Sequence, residues 1–154
     1  SKPSFSSSFK SKRCIIPVKG FFEWQHVGKK KIPWYIYSSE DEIFTLAGLF
    51  NDWVETKTGE VISTFTIITT DANEMMAEIH NSRKRMPVIL GRAEEKRWID
   101  VSTTISEAYE MMKPCSSQIL KAHTISPLIN DRNTNRNSPE LIEPFNYKSP
   151  EALF

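Results

Sequence analysis

Through the first seventy positions, apolar residues come in short blocks of strand length. Cys14-Ile15-Ile16-Pro17-Val18 predicts a strand, Lys19-Gly20 a break, and Phe21-Phe22-Glu23-Trp24-Gln25 a second strand. His26-Val27-Gly28-Lys29 reads as a turn, with Gly28 where a positive φ is cheap. Ile32 to Tyr37 and Ile43 to Phe50 are further β-branched or aromatic runs. Asn51-Asp52 and a Thr58-Gly59 turn then lead into a strand from Val61 to Thr69. Side chains two apart share a face of a strand, so Phe22 and Trp24 lie opposite Phe21 and Glu23.

At Asp71 the period changes. Ala72, Met75, Met76 and Ile79 fall at helical spacing, with Asp71 or Thr70 as N-cap and Glu74 as the acid of a capping box. This helix is expected to stop near His80. Pro87 to Leu90 predicts a short buried strand ended by Gly91, Ala93 to Asp100 and Ser106 to Met112 two short helices, and Ile119 to Ile125 a last strand. The predicted class is α+β, mainly antiparallel β with a few short peripheral helices. One domain over residues 1–154 is expected. It opens with a Ser/Lys-rich strap from Ser1 to Lys12, anchored by Phe5 and Phe9. From residue 126 to 154 it closes with an Asn/Pro-rich extended tail or wrapping loop.

Composition narrows the class further. With 39% hydrophobic and 25% charged residues, nine Phe, four Trp and four Tyr, the chain has enough apolar mass for a core and is neither collagen-like nor low-complexity. Its longest apolar runs are far below the roughly 20 residues that span a bilayer, and no leader pattern opens it, so no membrane association is expected. Two cysteines, Cys14 and Cys115, outside any CxxC pair, make no disulfide framework and point to a reducing, cytoplasmic setting. A net charge of +1 hides a segregated pattern. Eight Lys/Arg and one acid lie within Ser1 to Ile36, six acids and one Lys within Ser38 to Glu60, and six Lys/Arg against two Glu within His80 to Arg97. Segregation of this kind builds a basic face on a nearly neutral protein.

The candidate chemistry is sparse. Glu23, flanked by Phe21, Phe22 and Trp24, is either a desolvated carboxyl suited to acid/base work or a partner for a neighbouring Lys. His80 either caps the negative end of the preceding helix or serves, beside Arg83-Lys84-Arg85, a site that receives a polyanion. His26 and His123 read as turn and strand residues. No HxxxH, HExxH or local carboxylate pair offers a metal site, and GxGxxG, GxxxxGK and GxSxG are all absent, so no cofactor is expected. Cys14 reads as a buried structural thiol. Basic residues interleaved with Phe5, Phe9, Phe21, Phe22, Trp24 and Trp34 suit single-stranded nucleic acid, where cations track phosphates and rings stack on bases.

Taken in order, Arg13-Cys14-Ile15-Ile16-Pro17, Gly20-Phe21-Phe22-Glu23-Trp24, Thr69-Thr70-Asp71-Ala72-Asn73, Ile79-His80 and Arg85-Met86-Pro87-Val88-Ile89-Leu90 resemble the SOS-response-associated peptidase (SRAP) family. The match runs from about Phe5 to the Pro-rich tail and departs mildly in the longer stretch Asn81 to Lys84. The resemblance implies a β-rich, barrel-like core and a monomer that shields abasic sites in single-stranded DNA. It implies a covalent step in which an N-terminal Cys, exposed by Met removal, forms a thiazolidine with the abasic aldehyde. By motif, Glu23 and His80 take the acid/base roles, and Thr69 and Arg85, with the adjacent Lys84, hold DNA. A Met-Cys-Gly-Arg start is not found in these residues, and Cys14 belongs to the Arg-Cys motif. The expectation is therefore of a fragment lacking the family's first third and inactive in crosslinking by itself. From another class, the residues also fit a non-catalytic single-stranded-DNA-binding module.

Overall fold

A computed structural model describes residues 8–147. All strand pairing within it is antiparallel. One sheet has the order β1 (Arg13–Val18), β4 (Phe44–Val54), β5 (Val61–Ile67), with the short β8 (Ile89–Leu90) also paired to β4. A second has the order β2 (Phe21–Val27), β3 (Lys30–Ser38), β9 (Leu120–Thr124), and β6 (Thr69–Asp71) with β7 (Arg85–Pro87) forms a two-stranded third. The sheets pack together without closing into a barrel among the described residues, and the class is α+β as expected. No helix is long and apolar enough to cross a membrane.

Strand β4 organises the core. Its first six residues are buried on both faces, which explains why Ile43 to Phe50 reads as a continuous apolar run rather than an alternation. Ala47 and Leu49 face a cluster with Phe9, Val88, Leu90, Trp98, Ala108 and Met111. Phe44 and Leu46 face the other, with Ile36, Met76, Ile79, Met86, Ile89 and Leu120. The period of two thus divides one strand between two cores. Phe9 anchors the opening segment as expected, its ring 4.8 Å from Tyr109 and 5.9 Å from Trp98. The expected anchor Phe5 lies outside the described residues.

Several boundaries differ from the sequence pattern, each because a distant partner decides it. Asn51-Asp52 does not break β4: these residues pair with Thr64 and Ser63, and the Ser63 hydroxyl donates to Asp52 Oδ1 at 2.7 Å. The expected strand Val61 to Thr69 divides at Ile68, whose N–H donates to Ala47 O and whose carbonyl accepts from Val88 N, both at 2.9 Å. Helix α1 spans Glu74–Ile79, and its N-cap is Asn73, whose Oδ1 accepts from Met76 N at 2.9 Å. Thr70 and Asp71 cannot cap it because β6 holds them opposite Met86 and Arg85. Helices α2 (Arg92–Ile99) and α3 (Ile105–Glu110) follow, each starting one residue earlier than the pattern suggests. Thr104 and Glu107 close a capping box on α3.

His26 belongs to β2 rather than to a turn. The hairpin loop is only Gly28-Lys29, between paired Val27 and Lys30, with Gly28 at φ +58° as a two-residue connection requires. Beyond Ser126 the described part of the segment, to residue 147, folds back onto β9. It forms 3-10 turns at Pro127–Asn130 and Pro139–Ile142, buries Leu141, and donates from Phe145 N to Thr124 O at 2.8 Å.

Candidate functional site

Two elements far apart in sequence meet at the edge strand β2. Glu23 stands on β2, where its Oε1 accepts from Trp24 N at 3.0 Å. His80 is the C-cap of α1, its own N–H donating to Met76 O at 2.7 Å. The two side chains approach to 3.4 Å, Glu23 Oε2 to His80 Nδ1, and both are about four-fifths buried. His80 Nδ1 also lies 2.9 Å from the carbonyl oxygen of Arg85. A carbonyl only accepts, so the proton of that bond sits on Nδ1, and Nε2 is left to accept or to carry a second proton.

The pair lines a cavity of about 400 Å³, together with Trp24, His26, Lys31, Ser82 and Asn130. Trp24 donates from Nε1 to Asn130 Oδ1 at 3.0 Å, so the wrapping segment supplies part of the wall. Neighbours from both faces of β2 reach this space because it lies along the free edge of their sheet. His26, Lys31, Ser82 and Asn130 are functional candidates that sequence reading missed, whereas Trp24 was among the rings read as stacking on bases. His26 and Lys31 form a directly paired position across the β2–β3 hairpin, a signal that becomes legible once the two-residue turn is fixed. Asn130 has no local signal at all.

Of the residues expected to hold DNA, Thr69 and Arg85 are brought together. The Arg85 guanidinium donates to Thr69 Oγ1 at 3.0 Å from Nε and to Thr69 O at 3.1 Å. Both are exposed, on β6 and β7, and the Arg85 carbonyl joins them to His80. Lys84, just before β7, is exposed and holds a left-handed backbone at φ +49°. Its carbonyl accepts from Ala72 N at 3.0 Å and its N–H donates to His80 O at 2.8 Å, so the basic loop is folded onto the histidine.

The thiols stand apart from this cavity. Cys14 is paired with Gly48 inside the β1–β4 ladder, and burial pushes its thiol up. Cys115 lies beside the α1 cap, its carbonyl accepting from Asn73 Nδ2 at 3.1 Å, and burial pushes its thiol up to about 11. His123 is a strand residue as expected, its ring tilted against Tyr35 and edge-on to Tyr37, and bonded through Nε2 to Ile142 O at 2.8 Å. Among the described residues no group of three or more His, Cys, Asp or Glu is placed to hold a metal ion.

An antiparallel α+β scaffold that presents a carboxyl and an imidazole to one cavity, beside a Thr–Arg pair, defines the class of site. The family model described as SOS response associated peptidase (SRAP) matches residues 1–132, and the chain belongs to that family. It is 41% identical over 144 residues to the abasic site processing protein YoqW of Bacillus subtilis, covering 92% of this chain and 62% of that protein. It is 32% identical over 174 residues to the abasic site processing protein HMCES of Gallus gallus, covering 99% of this chain and 50% of that one. A crystal structure of a protein from Bacteroides thetaiotaomicron superposes with a TM-score of 0.89 at 38% identity, over 94% of this chain and 61% of that chain. The chain therefore spans half to somewhat under two thirds of the length of these relatives.

Proposed function

We propose that this chain carries the acid/base pair and the DNA-holding residues of a protein that captures abasic sites in single-stranded DNA. The approach of Glu23 to His80 within 3.4 Å, on the wall of a cavity large enough for a sugar, carries this reading. An abasic deoxyribose exposes an aldehyde. Attack by an amine gives a carbinolamine, and loss of its hydroxyl as water requires a proton that a protonated Glu23 donates. A thiol then adds across the resulting imine: sulfur bonds to carbon, its proton passes to nitrogen, and a five-membered thiazolidine closes. His80, its Nδ1–H fixed on Arg85 O, has Nε2 free to relay protons and, when charged, attracts the neighbouring phosphate.

The amine and thiol belong in this reading to an N-terminal Cys, outside these 154 residues, exposed by autoproteolytic removal of Met. Cys14 is no substitute, being locked in the β1–β4 ladder. Thr69, Arg85 and Lys84 hold the strand by its phosphates, and the protein acts as a cytoplasmic monomer without a metal or cofactor.

Mass spectrometry of abasic single-stranded DNA incubated with protein bearing such a Cys ahead of this sequence tests the reading. The expected result is an adduct of the summed mass less one water, lost when the N-terminal Cys is replaced. Glu23→Gln or His80→Ala should slow its formation roughly 100-fold or more. Salt-sensitive binding with no adduct would instead identify a non-catalytic single-stranded-DNA-binding module. Unchanged kinetics in both variants would remove the assigned roles.

A further inference from the structure

Away from Glu23 and His80, the cavity wall is made of hydrogen-bond donors. Lys31, His26, Ser82 and Asn130 line it, and among the described residues Glu23 is its one carboxylate. That carboxylate is already engaged, by Trp24 N on one oxygen and His80 Nδ1 on the other. Asn130 Oδ1 accepts from Trp24 Nε1, which leaves the Nδ2 hydrogens of the same amide to be donated. Among the described residues the Lys31 ammonium makes no ion pair or hydrogen bond. An unengaged ammonium, a free amide N–H and a hydroxyl therefore share one cavity.

Main-chain bonds fix their placement. His26 and Lys31 are directly opposed across the β2–β3 hairpin, so their side chains rise from one face. Asn81 holds both backbone groups of His26, and Ser82 is the next residue. The tip of the hairpin, with Lys29 and Lys30 beside Lys31, is thereby tied to the segment that carries His80. His80 itself is bonded through Nδ1 to the carbonyl of Arg85. Yet neither Arg85 nor Thr69 lines the cavity. Two separate cationic places thus adjoin the His80 segment, and the Thr69–Arg85 pair accounts for only one.

We propose that Lys31, with Ser82 and Asn130, forms a second phosphate subsite, which holds the phosphodiester on the side of the abasic sugar away from Thr69 and Arg85. A phosphodiester offers acceptor oxygens and a negative charge, which match an ammonium set among neutral donors. A strand held at both phosphates crosses the Glu23–His80 pair with its sugar between them. The ligand is then an abasic residue within a strand rather than one at its end. This subsite rests on the proposed function for the nature of the sugar, but it involves no covalent step.

Binding of the 154-residue chain to oligonucleotides bearing tetrahydrofuran, an abasic analogue without an aldehyde, tests it apart from the chemistry. With nucleotides on both sides of the analogue, Lys31→Gln should flatten the slope of log affinity against log salt by about 0.7, the share of one phosphate on a single strand. Taken against a 1 M reference, that is about eightfold weaker binding at roughly 50 mM salt. Lys31→Arg should keep most of the affinity. Lys57→Gln, which removes a cation from the turn between β4 and β5 in the other sheet, should change it by less than about twofold. Arg85→Gln should weaken binding to a similar degree as Lys31→Gln, and the two losses should add. With nucleotides on one side only, one of these two variants should bind like the unmodified chain, and moving them to the other side should exchange the two. The proposal is overturned if Lys57→Gln costs as much as Lys31→Gln, if Lys31 and Arg85 respond to the same flank, or if the unmodified chain binds none of these DNAs. Unchanged binding by Lys31→Gln beside a loss in Arg85→Gln also overturns it, while the roles of Thr69 and Arg85 stand.

Discussion

Asn81 grips the main chain of His26 from both sides: its Oδ1 accepts from His26 N at 3.0 Å and its Nδ2 donates to His26 O at 2.8 Å. A side-chain amide thus imitates a strand partner along the open edge of β2. Three residues along β2 stands Glu23, and the residue before Asn81 is His80. This clamp, with the Gln25 bond to Glu78 O, sets the distance between a strand and a helix end that have no backbone ladder in common.

Replacing Asn81 by Ala removes both bonds at an exposed site, where each is worth about 0.5–1 kcal/mol. The variant should therefore melt about 2–8 °C lower, with Asn81→Asp, which retains only the acceptor, falling between. Thermal unfolding followed by circular dichroism decides it. An Asn81→Ala midpoint equal to that of the unmodified chain would mean that the clamp contributes nothing.

How much of this was legible in the sequence depended on whether the deciding partner was near. Phe21 to Gln25 and Ile32 to Tyr37 announced themselves because a two-residue turn joins them and alternation is local. The start of α1 did not, because Thr70 and Asp71 are good caps that β7 claims through Met86 and Arg85, leaving the duty to Asn73. Ile68 looks like any strand residue, and only its bonds to Ala47 and Val88 split the strand there. Glu23 and His80 were recognisable as types in context. That Asn130 would close their cavity depended on a bond to Trp24 which no periodicity encodes.

Arg13 is 6% exposed and ties the segment at Phe9 and Lys10 to the end of α2. Its guanidinium donates to the carbonyls of Phe9 at 2.9 Å, Lys10 at 3.3 Å, Asp100 at 2.6 Å and Thr103 at 3.2 Å, as well as to Trp98 O. A lysine offers three donors from one point and cannot reproduce the fork. Arg13→Lys should cost about 3 kcal/mol or more, since buried carbonyls lose their partners. Urea unfolding measures this, and a loss under about 1 kcal/mol would contradict the assigned role.

Lys84 adopts φ +49°, where a Cβ clashes with its own backbone at a cost of roughly 1 kcal/mol. Glycine carries no such cost, though it adds freedom to the unfolded chain. Lys84→Gly should be neutral to about 0.5 kcal/mol more stable, and Lys84→Val less stable by about 1 kcal/mol or more. Under the proposed function the glycine variant should also bind single-stranded DNA with a weaker salt dependence, its slope smaller by about one ion. Denaturation and binding titrations therefore separate backbone from charge. A Val variant as stable as the Gly one would show the backbone to be unstrained.

Cys115 supplies a pH test whose sign follows from burial. Its thiol moves from an ordinary value near 9 up to about 11, because desolvation disfavours the thiolate. The folded chain therefore holds this proton more tightly than the unfolded chain. The associated stability is complete below pH 9 and is lost as the pH rises from 9 through about 11. Urea midpoints of the unmodified chain should consequently fall more steeply across that window than those of Cys115→Ala. At pH 8 the folded thiol presents about a hundredfold less thiolate than an ordinary one, so iodoacetamide should label it correspondingly slowly until urea is added. Labelling at the same rate in the folded and unfolded chain would show that burial does not protect this sulfur.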